Sequence, residues 1–292
     1  MRKNMRLTYA LKWVGKVLDG RGRSKREVYE EYGGRSPYIH SYSTRNRYLG
    51  VAKDFVKWER ERGVNRVDKV SYEDVREYLE EKIDRGVSEK TLKVNMSALR
   101  KFFGAVGRDD IAKKIGEDYQ EIYSQGRPSG RALPYTNPQK VIENLRDDAH
   151  KVVAELQYLT GARVGDVKKI EVDTEKRVVR IEKSKGGRDR EIDFSDRPER
   201  FERIKALKEE LDRHMEERGW KEIRETYYED LREACKKTGE VYTGSHSFRV
   251  NYAQERFEEL TEERGLSDKE ADQTITEELG HNRIEMSRYY RY

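Results

Sequence analysis

The chain contains little cysteine and little proline, and it has no long apolar run. Its single cysteine, Cys235, can form neither an internal disulfide nor a cysteine-based zinc site. No stretch approaches the roughly 20 consecutive apolar residues that a membrane-spanning helix needs, and the basic start of the chain lacks the apolar core of a signal peptide. These absences predict a cytoplasmic protein that binds no membrane.

Charged residues are abundant and unevenly distributed. They make up 41% of the 292 residues, against 34% hydrophobic residues that recur at helical spacing, which predicts a folded protein of two domains. Abundant Lys, Arg and Glu are also typical of heat-adapted proteins. Residues 1–131 hold 30 Lys and Arg against 20 Asp and Glu, and the remainder holds 32 against 37. The first half is the better candidate for contact with a polyanion, the alternative being a solvated helical surface.

Residues 1–26 are the most basic part of the first half, with nine Lys and Arg and one acidic residue, Asp19. We expect a short helix that packs on its own protein and shows basic side chains to a partner. Glycines then break the pattern, and we assign residues 1–40 to a basic N-terminal extension. The apolar residues spaced as one helical face are Leu7, Leu11, Val14 and Leu18.

Residues 41–125 show the pattern of compact helices joined by short turns. Ser71, followed by Asp74, and Ser88 are typical helix N-terminal caps. Three of the five prolines lie between residues 123 and 138, which predicts a semi-rigid linker over residues 126–137. The large aromatic residues expected in the helical core, in preference to stacking on bases, are Phe55, Trp58, Phe102 and Phe103.

A second domain is predicted over residues 138–292. Asn137 caps its first helix, with Pro138 at the first helical position. Ser184–Gly187 has the composition of a tight turn, and the chain after Pro198 is helical. The expected fold is mainly α with a small antiparallel β-sheet. Its three strands are Lys169–Val172, Arg177–Ile181 and Arg190–Phe194.

Two short motifs of this domain carry candidate anion-binding groups. His246 and Arg249 are three residues apart, so on a helix both can address one small anion such as a phosphate. Arg163 follows Gly161, where one helix stops and another begins, and Asp166 could orient it or cap the following turn. Taken alone, the Arg163 motif is better explained by a surface salt bridge.

Five elements follow one another in the second domain: Thr160-Gly161-Ala162-Arg163, Lys185 in a predicted hairpin, His246-x-x-Arg249, Leu279-Gly280-His281, and Tyr290 nine residues later. In this order they resemble the catalytic signature of the tyrosine recombinases, the phage integrase family. The helical region 41–125 resembles the SAM-like core-binding domain with which that family binds DNA.

The resemblance implies a role for each of these residues. Arg163 and Arg249 would hold the nonbridging oxygens of the scissile phosphate, where preorganised cations stabilise the charge of the transition state. His246 would accept the nucleophile's proton or donate a hydrogen bond to the phosphate, and His281 would add another phosphate contact. Lys185 would protonate the departing 5′ oxygen.

Alternatives remain for two of these assignments. Lys183 is a neighbouring candidate for the general acid, and either lysine could be an ordinary solvated one. Tyr290 would be the nucleophile because the family places its tyrosine about nine residues after the Leu-Gly-His histidine, with Tyr289 and Tyr292 as alternatives. A phenol with a pKa near 10 needs nearby cations or a base for attack.

The sequence departs from the family at two places. Asp166 stands where a glutamate is commoner, and only Arg291 and Tyr292 follow Tyr290. Many family members lend a longer C-terminal helix to a neighbouring protomer. We expect either that other surfaces, such as the basic N-terminal helix, hold a tetramer together, or that the chain has been cut short.

The implied activity is site-specific DNA recombination through a 3′-phosphotyrosyl intermediate and a Holliday junction. The resemblance implies double-stranded DNA as partner and a homotetramer on DNA that is a monomer or dimer when free. It implies no cofactor, metal or small-molecule substrate, and a prokaryotic, viral or plasmid origin. Two alternatives are a topoisomerase with a similar site and a noncatalytic DNA-binding protein on the same fold.

Overall fold

The computed structural model describes residues 4–34, 36–130, 133–184, 188–281 and 284–291. The chain divides into two compact units, Met1–Gly130 and Arg131–Tyr292. The fold class predicted from the sequence is confirmed: the chain is mainly helical with one small antiparallel sheet. Among the described residues, no helix is both long enough and apolar enough to cross a bilayer.

The first unit is helical. A 3-10 turn at Val67–Lys69 precedes α4. The Ser71 hydroxyl and the Asp74 carboxylate form the predicted reciprocal cap of α4, and Ser88 caps α5. The helices are α1 (Leu7–Val17), α2 (Lys25–Glu31), α3 (Tyr42–Glu61), α4 (Tyr72–Asp84), α5 (Glu89–Ala105), α6 (Asp109–Glu117) and α7 (Tyr119–Ser124).

One apolar core serves the whole first unit, including the N-terminal segment. Leu7 and Val14 of α1 are buried in the same cluster as residues of α3, α4 and α5. The backbone also joins them, because the Leu7 amide donates to the Asn65 carbonyl at 2.9 Å and the Ile39 amide donates to the Leu18 carbonyl at 2.7 Å. The basic helix therefore packs on its own protein, as expected. Phe55, Phe102 and Phe103 are buried as predicted, and Trp58 is partly buried and stacks on Phe55.

The second unit combines helices with a three-stranded sheet in the order β1-β2-β3, and both strand pairs are antiparallel. Gly219, with φ of 73°, interrupts the long α11. A π-helical turn, Glu259–Glu263, follows α12. The elements are α8 (Pro138–Glu143), α9 (Asp148–Thr160), α10 (Val164–Val167), β1 (Ile170–Asp173), β2 (Val178–Ser184), β3 (Arg188–Asp193), α11 (Pro198–Thr238), α12 (His246–Glu258), α13 (Asp268–Glu278) and α14 (Glu285–Arg291).

Two apolar clusters build the second unit. The larger cluster joins α9, the sheet and α11, and it includes Phe248 of α12. The smaller cluster joins the other face of α12 to α13 and α14, and it includes Leu279 and Tyr290. Since α12 contributes to both clusters, it fixes the C-terminal helices against the rest of the unit.

The packing of α1 predicts that Leu7 is part of the core of the first unit. Leu7→Ala should lower the free energy of unfolding by about 2–5 kcal/mol, because a fully buried leucine leaves a cavity. Tyr9→Ala on the same helix is the control, since Tyr9 is exposed and its loss should cost less than about 0.5 kcal/mol. Hydrogen exchange of the full chain measures both, with faster exchange of α3 and α5 expected for Leu7→Ala. Equal exchange in the two variants would contradict this packing.

Candidate active site

The site begins at the turn after α9. Gly161 ends that helix with φ of 60°, in the left-handed region that favours glycine. A Cβ at this position would lie 2.5 Å from Leu279 Cδ2 and 2.7 Å from Tyr252 Cδ1. Only glycine lets the backbone of this turn approach α12 and the end of α13 so closely.

Arg249 is the centre of the site and is fully buried. Its Nη1 donates to the Gly161 carbonyl at 2.5 Å, and its Nη2 donates to the Leu279 carbonyl at 2.7 Å. The same Nη2 lies 2.7 Å from His281 Nε2, which accepts its hydrogen bond. One guanidinium group from α12 thus joins the end of α9 to the end of α13.

The charge of Arg249 lacks a carboxylate partner among the described residues. Its three acceptors are two carbonyl groups and a ring nitrogen, and its buried Nε has no hydrogen-bond partner. Burial, together with the nearby Arg190 and Arg163, lowers the pKa of Arg249 to about 9. The group therefore stays cationic at neutral pH, and an incoming anion would relieve the repulsion.

Tyr290 meets His246 beside this arginine. His246 Nε2 lies 3.0 Å from the Tyr290 hydroxyl, and the two rings are tilted with centroids 5.6 Å apart. The Tyr290 phenol lies close enough to Arg249 to oppose the lowering of the arginine's pKa. Gln254 of α12 donates to the Tyr290 carbonyl at 2.9 Å, which holds α14 on the same chain's site.

Tyr289 and Tyr292 are the alternative candidates for the nucleophile. Tyr290 is buried in the cluster shared by α12, α13 and α14, whereas Tyr289 is 40% exposed. Tyr292 lies outside the described residues. The geometry therefore places Tyr290, and not Tyr289, against the histidine and the arginine.

His281 also contacts the phenol, with its ring centroid 5.5 Å from that of Tyr290. Burial and the neighbouring cations, Arg249 first among them, lower the pKa of His281 to about 3. The imidazole is therefore neutral at pH 7. Because its Nε2 accepts from Arg249, its Nδ1 carries the proton, and this buried Nδ1 has no hydrogen-bond partner.

Arg163 precedes α10 and faces the sheet. Its Nη1 donates to Ser184 Oγ at 3.3 Å and lies 3.8 Å from Asp166 Oδ2. Ser184 in turn donates to Asp166 at 2.7 Å, and the Lys169 Nζ lies 3.2 Å from the other carboxylate oxygen. Asp166 is buried and orients Arg163 both directly and through Ser184. An aspartate can therefore orient the arginine at this position, where a glutamate is commoner in the family.

The predicted general acid, Lys185, lies outside the described residues, as do Gly186 and Gly187. The alternative, Lys183, is exposed near the end of β2 with φ of 45°. Its amide donates to Asp189 Oδ1 at 2.8 Å, and its carbonyl accepts from Lys169 Nζ at 2.6 Å. These contacts fix the end of β2 against β3 and against Lys169.

A buried ion cluster supports the end of α13. Glu278 accepts from Arg256 Nη2 at 3.0 Å and from the Tyr252 hydroxyl at 2.7 Å, and both partners belong to α12. Arg197 Nη2 lies 3.6 Å from the same carboxylate. Since Glu278 immediately precedes Leu279, this cluster positions the Leu279 carbonyl group that holds Arg249.

The structure thus brings five of the six predicted site residues together, namely Arg163, His246, Arg249, His281 and Tyr290. Sequence reasoning missed Arg190 of β3, which is buried beside them and donates to the Glu278 carbonyl at 2.9 Å. A signal existed: strict alternation along the predicted strand places Arg190 on the same face as the buried Ile192.

Comparison with known proteins identifies the family. Residues 39–108 match the N-terminal SAM-like domain of phage integrases. Residues 138–292 match the phage integrase family, and this second match covers more than half of the chain and contains the whole site. The chain belongs to the phage integrase family.

Two curated relatives are tyrosine recombinases. Tyrosine recombinase XerC of Bacillus pumilus (strain SAFR-032) is 26% identical over 164 residues, which are 53% of this chain and 53% of that protein. Tyrosine recombinase XerC of Bacillus subtilis (strain 168) is 26% identical over 135 residues, 44% of this chain and 43% of that protein. The chain spans about half the length of the curated relatives it matches.

Solved structures share the fold. A lambda integrase dimer bound to a COC′ core site has 19% identity and a TM-score of 0.59, covering 100% of this chain and 78% of that chain. A lambda integrase tetramer bound to a Holliday junction has 19% identity and a TM-score of 0.61, covering 99% and 78%. The Tn1549 transposon integrase in complex with transposon right end DNA has 15% identity and a TM-score of 0.62, covering 97% and 94%.

The close approach at Gly161 predicts that this turn tolerates no side chain. Gly161→Ala should lower the free energy of unfolding by about 1–2 kcal/mol for the left-handed backbone and by about 1–3 kcal/mol more for overpacking against Leu279 and Tyr252. Gly165→Ala is the control, because a Cβ there meets nothing within 4 Å. Thermal unfolding of the full chain measures both variants, and equal stability would show that the turn is not close-packed.

The neutral His281 predicts a pH dependence of stability. Its pKa is about 3 in the folded chain and about 6.5 when unfolded, so the unfolded state binds more protons between these values. The contribution to stability is therefore complete above about pH 6.5 and is lost as the pH falls toward 3. His281→Gln should give a shallower decline of the unfolding free energy between pH 6.5 and 4, measured by denaturant titration. An unchanged slope would place the imidazole in solvent.

Proposed function

We propose that this chain is a site-specific DNA recombinase that cuts and rejoins duplex DNA through a 3′-phosphotyrosyl intermediate. The observation that carries the proposal is the Tyr290 hydroxyl, 3.0 Å from His246 Nε2, on a ring that packs against His281, the hydrogen-bond partner of the buried Arg249. A phenol hydrogen-bonded to an imidazole, with a buried guanidinium group nearby, is equipped to attack a phosphate that binds to that cation.

In the proposed reaction, the Tyr290 oxygen attacks the scissile phosphorus. His246 accepts the phenol proton or donates a hydrogen bond to the phosphate, while Arg163 and Arg249 bind the nonbridging oxygens. These oxygens gain negative charge in the pentacovalent transition state, and fixed cations stabilise that charge without reorganisation. His281, through its Nδ1 proton, is a further donor to the phosphate.

The leaving group in this proposal is the 5′ oxygen of the cut strand. Lys185 protonates this oxygen as the P–O5′ bond breaks, with Lys183 as the neighbouring alternative. The phosphotyrosyl ester retains the energy of the broken bond, so a 5′ hydroxyl can attack it and reseal DNA without ATP. The site draws its cations from arginine side chains and calls for no metal ion.

Double-stranded DNA is the proposed partner, and a homotetramer on DNA is the proposed assembly, with a monomer or dimer in its absence. Supporting this, the related lambda integrase structures are a dimer bound to a core site and a tetramer bound to a Holliday junction. Residues 41–125 are proposed as the core-binding domain and residues 138–292 as the catalytic domain, joined by the linker 126–137, with residues 1–40 adding a basic extension. Binding through phosphate contacts should weaken steeply with salt.

The proposed nucleophile predicts a covalent adduct. A nicked suicide substrate, which lets the cut strand diffuse away, should accumulate a covalent complex between wild-type protein and DNA. Tyr290→Phe should form none, because it lacks the attacking oxygen, and Tyr289→Phe is the matched control that should retain the adduct. The nicked substrates are prepared as a library of duplex sequences, and a denaturing gel measures the covalent adduct. Absence of the adduct for the wild type, or its persistence in Tyr290→Phe, would refute the assignment.

A further inference from the structure

Arg190 is a buried arginine that the reaction proposed above does not use. It is 5% exposed, and its side chain lies on the face of β3 that packs toward the core. Its Nη1 donates to the Glu278 carbonyl at 2.9 Å. Its Nε and Nη2 are buried without a hydrogen-bond partner. Buried N–H groups of a cation are costly to leave unpaired, so their retention calls for an explanation.

The position of Arg190 relates it directly to Arg249. The two arginines donate to consecutive carbonyl groups, those of Glu278 and Leu279, at the C-terminal end of α13. The partial negative charge of a helix C-terminus favours cations there. A Cβ on the next residue, Gly280, would lie 3.3 Å from Arg190 Cδ, so Arg190 packs against the segment that carries His281.

Nearby carboxylates do not neutralise Arg190. Asp166 is engaged by Ser184 and Lys169. Glu278 is engaged by Arg256. Within the described part of the chain, Arg190 forms no ion pair. Burial and the neighbouring Arg163 lower the pKa of Arg190 to about 10, so it remains cationic at neutral pH.

We propose that Arg190 is a third anion-binding guanidinium of the site, which contacts the scissile phosphate beside Arg163 and Arg249 through its unpaired N–H groups. This inference rests on the proposed recombinase function. The bond from Tyr290 to phosphorus forms as the bond to the 5′ oxygen breaks. The phosphodiester before the reaction and the phosphotyrosyl diester after it each carry one negative charge, whereas the pentacovalent transition state between them carries two. Arg190 transfers no proton; it stabilises the added charge by hydrogen bonding.

A structural role and an anion-binding role make different predictions for a neutral substrate. In a methylphosphonate, a methyl group replaces one nonbridging oxygen of the scissile phosphate and removes its negative charge. Arg190→Gln should slow cleavage of the ordinary phosphodiester by about 10²-fold and cleavage of the methylphosphonate by less than about tenfold. The variant and the wild type are compared as full-length chains on the same nicked duplex, using both methylphosphonate diastereomers.

Two further variants sharpen the comparison. Arg190→Lys keeps the positive charge and should lose less activity on the phosphodiester than Arg190→Gln. If Arg190→Gln does not fold, Arg190→Lys takes its place in the comparison of the two substrates. Arg197→Gln is the matched control, because Arg197 is a buried arginine that holds the Asp193 carbonyl and the Glu278 cluster. Its losses should be equal on the two substrates.

The outcomes are separable from those for the proposed function. If the wild type forms no covalent adduct, the recombinase proposal fails. If the wild type reacts but Arg190→Gln loses equally on both substrates, or loses nothing, the anion-binding role is wrong. If the wild type cuts the methylphosphonate too slowly to measure, binding of inorganic phosphate is measured instead by thermal unfolding. Inorganic phosphate should raise the Tm of the wild type more than the Tm of Arg190→Gln. Equal increases in Tm would overturn the inference.

Discussion

The second unit depends on one buried guanidinium group bonded to backbone carbonyls. Arg249 donates to Gly161 at the end of α9 and to Leu279 at the end of α13. These bonds satisfy carbonyl groups that helix ends leave without partners. They also bring Arg163, which follows Gly161, and His281, which follows Leu279, to the same place. The guanidinium group that joins the helix ends is therefore also the group that supplies positive charge to an anion site.

This arrangement concentrates cations where little negative charge compensates them. Arg163, Arg190 and Arg249 repel one another, and the carboxylates of Asp166 and Glu278 only partly offset the lowering of the Arg190 pKa. Buried charge of this kind weakens a fold, so it must be offset elsewhere. The apolar clusters of α9, α11, α12 and α13, and the ion pairs of Glu278 with Arg256, supply that stability. An anion between the arginines would remove the repulsion.

Patterns of local origin were predictable from the sequence. The caps at Ser71 and Ser88, the stop at Gly161 and the three strands follow from side-chain chemistry and periodicity, and the strands differ from prediction only at their ends. Contacts of backbone carbonyls were not predictable, because every residue has one. The bonds from Arg249 to Gly161 and Leu279, and the burial of Arg190, depend on which helix ends meet in three dimensions.

The most direct test of this account is a structure of the full chain trapped as a covalent complex with a suicide DNA substrate. The account predicts a phosphodiester on Tyr290 whose nonbridging oxygens lie within hydrogen-bond distance of Arg163 and Arg249. A phosphate that instead faces solvent, with Arg249 still bonded only to the Gly161 and Leu279 carbonyls and to His281, would contradict it. In that case the buried arginine would serve the fold alone.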